Sequence, residues 1–111
     1  MSGEEFSATI KTTDRGSVIE LVGIVNRGAK EGMEAAYQEA SKSAGEIRLD
    51  FTKVEYINST GIAVIVGVLA MARAEEREVG AFGLTDHYKE VFEITRLADF
   101  MHIYENATAG K

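Results

Sequence analysis

The sequence predicts an α/β fold: one small domain with a mixed central β-sheet of about four to five strands flanked by helices. Three features carry that reading. The spacing of apolar residues switches repeatedly between a period of two and a period near 3.6 along the chain. The resulting strand-like and helix-like segments alternate, as they do where helices pack on a largely parallel or mixed sheet. The chain of 111 residues contains no Pro and no internal repeat, so nothing divides it, and its length is that of one compact domain. The domain is expected to span 1–111, with 105–111 a polar tail.

In chain order, Phe6, Ala8 and Ile10 alternate with Ser7, Thr9 and Lys11, the pattern of a half-buried strand. The polar TTDRGS then turns the chain into a second strand, Val18 to Val25. After Gly28 the period changes. Met33, Ala36, Tyr37 and Ala40 share one helical face, and Gly45 suits the stop, which predicts a helix over Ala29 to Ser43. Ile47, Leu49 and Phe51 alternate strictly and give a strand from Ile47 to Phe51. The β-branched run IAVIVGV reads locally as strand or helix. Its continuation through LAMA into RAEERE as one segment decides for a helix from Thr60 to Arg77, on which Ile62, Val66, Leu69 and Arg73 trace a face running from core to solvent. Ile62, Ile65 and Leu69 are expected in the core. Val64 and Met71 are divided between core and partner surface, because the helix is apolar almost all round. A strand over Val79 to Leu84, a short helix over His87 to Ile94 and a strand over Met101 to Tyr104 complete the order.

Composition excludes several functions. With 18 acidic against 12 basic residues and a net charge of −6, the chain repels a phosphate backbone, and nucleic acid is not expected as a partner. The longest apolar run, Gly61 to Ala72, is shorter than the ~20 residues of a spanning helix, so no membrane insertion is expected. The amino terminus MSGEEFSATI has the wrong composition for a targeting peptide, and the protein is expected in the cytoplasm. There is no Cys, and the two histidines, His87 and His102, have no neighbours at metal-ligand spacing. Neither a metal nor a cofactor is expected.

The stretch INSTG, Ile57 to Gly61, poses the functional question. Asn58, Ser59 and Thr60 can each cap the helix that follows, a contribution of ~1 kcal/mol. One cap suffices, so two polar side chains are surplus. A nucleophilic serine would need a base and an elbow of the G-x-S-x-G type, and a phosphate-cradling loop would need several glycines and a following Lys. The segment has neither, and no catalytic set is expected. A hydroxyl that another protein modifies fits better. A phosphoryl group there would add about −1.5 to −2 charge at a helix amino terminus, which tolerates it while the surface changes sign.

IRLDFTKVEYINSTGIAVIVGVL resembles the signature of the STAS domain of bacterial anti-sigma factor antagonists. GLTDHYKEVFEITRLADFMHIYE is similar to that family's late region, and LVGIVNRGAKEGMEAAY to its first glycine-and-helix region. The resemblance runs from about Ser17 to Glu105. It implies a binding module that, unmodified, occupies a GHKL-type anti-sigma factor with serine kinase activity and so frees a sigma factor. Phosphorylation at Ser59, with Thr60 the rival site, would end that binding, and a PP2C-type phosphatase would restore it. The implied partner surface comprises Asn26, Asn58, Ser59, Thr60 and Gly61, with Val64 and Met71 from the apolar helix, on a monomer or weak dimer. Asn58 and Asn26 stand where the family commonly has Asp, and ENATAGK is too short and polar to promise the further helix that many members carry. The same domain also serves as an accessory of lipid-transport ATPases or as a stress-signalling scaffold, and from a different class a small-ligand sensor would use a pocket among the apolar helix residues.

Overall fold

Each stretch of period-two alternation becomes a strand, and each of period 3.6 a helix, in a computed structural model that describes residues 6–106. The strands are β1 (Ser7–Thr13), β2 (Gly16–Val25), β3 (Glu46–Ile57), β4 (Val79–Phe82) and β5 (His102–Ile103). The helices are α1 (Lys30–Ala40), α2 (Ser59–Ala74) and α3 (Asp86–Ile94), with 3₁₀ turns at Arg27–Ala29 and Leu97–Asp99. The sheet is mixed, in the order β1-β2-β3-β4-β5. β1 forms the antiparallel hairpin with β2, and the remaining pairs are parallel. The expected fold class is therefore observed. The outer part of the expected tail, 107–111, lies outside the described residues.

Register puts one apolar set on one face. Ile10 lies opposite Ile19, Ile19 beside Leu49, and Leu49 beside Ala81, and neighbouring partners point the same way. Ile19, Leu49 and Ala81 are buried in the same cluster as Met33 and Tyr37 of α1, Ile65 and Leu69 of α2, and Phe92 of α3. The three helices thus share one core over one face of the sheet. The residues between them on the strands, Glu20, Arg48 and Asp50, are only half-buried. Glu20 lies within ion-pair distance of Lys11 and Lys53, at 4.0 and 3.8 Å.

Several boundaries differ from expectation, each for a local reason. β3 runs six residues past Phe51, to Ile57. Register shifts against β2 between Glu20 and Val22 and between Gly23 and Ile24 break the alternation there while pairing continues. α1 is shorter than Ala29 to Ser43, because Arg27–Ala29 is wound as a 3₁₀ turn and Ser41 caps the far end. α2 stops at Ala74 rather than Arg77. Glu76 takes a left-handed conformation at φ 57°, and the Arg77 N–H returns to the Ala72 carbonyl at 2.8 Å, a C-terminal closure more often made with glycine. The stripe of Ile62, Val66, Leu69 and Arg73 does not run steadily from core to solvent, because it lies along the edge of the buried face. Leu69 is buried, Ile62 is half-buried against the core, and Val66 and Arg73 are exposed.

Candidate functional site at the start of α2

The carboxyl ends of β2 and β3 lie side by side, Val25 beside Ile57, and both strands leave the sheet there. The Asn58 N–H holds the two exits together by donating to the Val25 carbonyl at 3.2 Å. α3 supports the same corner from the other side, where the Tyr88 hydroxyl accepts from the Ile57 N–H at 3.0 Å.

Asn58 is the N-cap of α2. Its backbone is extended, and its Oδ1 accepts from the Gly61 N–H at 2.8 Å. The same oxygen accepts from the Thr60 hydroxyl at 2.7 Å, and Thr60 Oγ1 in turn accepts from the Arg27 N–H at 3.0 Å. Asn26 closes the neighbouring exit, its Oδ1 accepting from the Gly28 N–H at 2.8 Å. Gly61 lets this happen, since a Cβ there would stand 1.9 Å from the Val25 carbonyl oxygen. Two of the three polar side chains are thereby consumed in building the corner. Ser59, the first residue of the helix, is exposed, and among the described residues its hydroxyl takes part in no hydrogen bond.

This arrangement decides what the corner can do chemically. A hydroxyl becomes a nucleophile when a base within hydrogen-bond reach takes its proton, and among the described residues nothing occupies that position beside Ser59. The hydroxyl is instead presented outward at the first position of α2. Of the residues expected at a partner surface, Asn26, Asn58, Ser59, Thr60 and Gly61 are brought together. Val64 is not available, because it faces the sheet and is buried in the core. Met71 is half-buried and packs against the core, about 18 Å along the helix from Ser59. The Arg27 N–H and the Tyr88 hydroxyl are contributions that no sequence pattern announced.

Groups with displaced pKa values lie elsewhere. Tyr37 is pushed from the ordinary 10.0 up to about 12, first by burial and then by its hydrogen bond to Glu75, whose Oε1 accepts at 2.6 Å. Burial, followed by a hydrogen bond to Glu46, also raises Tyr104. Glu46, Glu78 and His102 bring donor atoms within 4.8 Å of one another. The two Glu46 oxygens are already engaged, one by the Arg48 Nε at 2.7 Å and the other by the Tyr104 hydroxyl at 2.8 Å, so the group reads as an ion-pair network. Among the described residues no helix is long and apolar enough to cross a membrane.

Comparison with known proteins agrees with the fold. A family model described as "Mlab, STAS domain" matches residues 8–104. An anti-sigma-B factor antagonist of Listeria monocytogenes is 40% identical over 74 residues, which cover 67% of this chain and 62% of that protein. Its counterpart in Staphylococcus aureus is 35% identical over 60 residues, 54% of this chain and 56% of that one. The matches thus span somewhat less than two thirds of those relatives. Among solved structures, an anti-sigma factor antagonist from Mycobacterium paratuberculosis superposes with a TM-score of 0.76 at 15% identity, over 96% of this chain and 91% of that one. The unphosphorylated form of the anti-sigma factor antagonist SpoIIAA gives 0.69 at 16% identity, over 91% and 90%. The phosphorylated form of the Bacillus protein SpoIIAA gives 0.68 at 19% identity, over 93% and 96%. Those likenesses are of fold.

Proposed function

The chain belongs to the STAS domain family, and on that footing we propose that it is an anti-sigma factor antagonist whose binding is switched by phosphorylation of Ser59. Unmodified, it occupies a GHKL-type anti-sigma kinase and so frees a sigma factor. The kinase transfers the γ-phosphoryl group of ATP to Ser59 Oγ, its own base takes the hydroxyl proton, and ADP leaves. The modified chain is released, and a PP2C-type phosphatase hydrolyses the ester to restore it. Kinase, ATP and Mg²⁺ supply the chemistry, while this chain supplies a positioned hydroxyl.

One observation carries the reading. Of three adjacent polar side chains, Asn58 and Thr60 are hydrogen-bonded into the corner and Ser59 alone is exposed and unbonded. The fold does not need that hydroxyl, so its modification leaves the corner intact. A phosphate at the first helical position meets first-turn N–H groups and the positive end of the helix dipole, which stabilise it. Asn58 in place of an acid removes one like charge from its surroundings. A doubly charged group in the middle of a docked face then weakens the complex. Introducing an unpaired charge there costs ~2–5 kcal/mol, about thirtyfold to several thousandfold in affinity.

Calorimetric titration against each GHKL-type kinase that the source genome encodes tests the switch. Ser59→Ala is expected to bind and to stay bound when ATP is added, whereas Ser59→Asp is expected to fold normally and bind weakly. A complex indifferent to ATP and to both variants would overturn the switch and favour a constitutive accessory subunit, as in the lipid-transport assemblies that use this domain.

A further inference from the structure

Helix α2 carries a second feature on the face that presents Ser59. Its buried side runs through Gly61, Val64, Ile65, Val68, Leu69 and Ala72. The opposite side runs through Ser59, Ala63, Val66, Ala70 and Arg73, all exposed and spaced as neighbours on one helical stripe. Between Ser59 and Arg73 that stripe is apolar, where a helix packed on one side ordinarily turns polar. Val66 is 47% exposed, and Phe100, after the Leu97–Asp99 turn, is 52% exposed. Between α2 and that turn lies a groove of about 280 Å³ walled by Val66, Leu69, Ala70, Leu97 and Phe100. Its walls are almost wholly apolar.

Charge at the rim defines what fits. Arg96 is neutralised by Asp99 at 2.6 Å. Arg73 lies 5.2 Å from the centroid of the Phe100 ring, and among the described residues it has no carboxylate partner. An uncompensated cation beside an apolar groove, on a chain of net charge −6, is complementary to an apolar side chain flanked by a carboxylate. Position matters as well. Val66 lies about 10 Å and Arg73 about 21 Å along the axis from Ser59, and an ordinary interface covers ~800 Å² per partner, a patch roughly 30 Å across. One partner reaches both.

We propose that the groove between α2 and the Leu97–Asp99 turn is the second half of the docking face, accepting a carboxylate-flanked apolar side chain of the same kinase that engages Ser59. This rests on the switch reading above and adds where the partner is anchored. Anchoring away from Ser59 gives the unmodified chain affinity that does not depend on the hydroxyl, so the phosphate acts on a complex already held at a second point.

The experiment uses the full chain and each GHKL-type kinase that the source genome encodes, with calorimetry on the wild type, Ser59→Asp, Val66→Glu and Arg73→Glu. Val66→Glu is expected to weaken binding by about tenfold or more, and Arg73→Glu by about tenfold. Both should remain phosphorylatable at Ser59 at high kinase concentration. Should Val66→Glu fail to fold, Arg73→Glu carries the test, because it alters an exposed side chain. Groove variants that bind within twofold of the wild type while Ser59→Asp binds poorly would overturn the groove and leave the switch standing. Loss with the groove variants but none with Ser59→Asp would support the groove and overturn the switch. No binding by the wild type would overturn both. Concentration-dependent dimerisation abolished by Val66→Glu, with kinase binding unchanged, would assign the groove to a second copy of this chain instead.

Discussion

The substitution Gly61→Ala, compared with Gly67→Ala on the same helix, separates a glycine the site needs from one it does not. A Cβ at Gly61 would stand 1.9 Å from the Val25 carbonyl oxygen and 2.6 Å from its carbon, where ordinary contact begins at 3.4 Å. The start of α2 must therefore retreat by about 1.5 Å from the end of β2. Overpacking of this kind costs ~1–3 kcal/mol. The retreat also stretches the hydrogen bonds from Asn58 N–H to Val25 and from Arg27 N–H to Thr60, each worth ~1 kcal/mol. Against these stands the helix preference for Ala over Gly, ~0.8–1 kcal/mol. The expected net loss is ~2–4 kcal/mol, a fall of roughly 10 °C or more in Tm for a domain of this size. At Gly67 a Cβ meets nothing within 4 Å, so only the preference remains, and the chain should gain up to ~1 kcal/mol. Urea denaturation and thermal unfolding followed by circular dichroism read both. If Gly61→Ala is as stable as the wild type, or if the two substitutions shift stability alike, the close approach of α2 to β2 is not what positions Ser59.

The three polar residues of the corner should separate in the same assay. Ser59→Ala is expected to change stability by less than ~0.5 kcal/mol, because its hydroxyl is unbonded. Asn58→Ala, which removes the cap and the acceptor for Thr60, should cost ~1–2 kcal/mol. Thr60→Val, which leaves the Arg27 N–H without its acceptor, should cost ~1 kcal/mol or more. At Tyr37 the raised value of about 12 means that the folded state holds its proton more tightly than the unfolded state does. The associated stability is present below pH 10 and is lost as pH rises through about 12. Tyr37→Phe should lower stability by ~1 kcal/mol near neutral pH and flatten part of the alkaline decline, measured by urea midpoints across that range.

The order and type of the elements were legible because β2 and the first half of β3 alternate cleanly, β4 is a short apolar run between polar segments, and α1 carries one apolar face. Ile47, Leu49 and Phe51 could be read directly, whereas Thr52 to Ile57 could not, since register shifts against β2 interrupt the alternation there. Phase along α2 was illegible for a related reason. A helix apolar on nearly every side has no stripe to read, so Val64 and Val66 are indistinguishable until the sheet fixes which side is inward. The end of α2 was missed because Glu76 adopts the left-handed conformation that a sequence reading assigns to glycine. At the site, the motif announced three capping residues without saying which would cap. That choice depends on the Val25 carbonyl and the Arg27 N–H, contributed from a strand end more than thirty residues earlier.

The central claim is that Ser59 is the hydroxyl left free for modification. Its most direct test is intact-mass and fragment mass spectrometry of the full chain after incubation with ATP, Mg²⁺ and each GHKL-type kinase that the source genome encodes. The account predicts one added phosphoryl group, mapped to Ser59, absent from Ser59→Ala and accompanied by dissociation of the complex. A phosphate on Thr60, whose hydroxyl is bound to both Asn58 and Arg27, or a complex that persists unmodified, would contradict it.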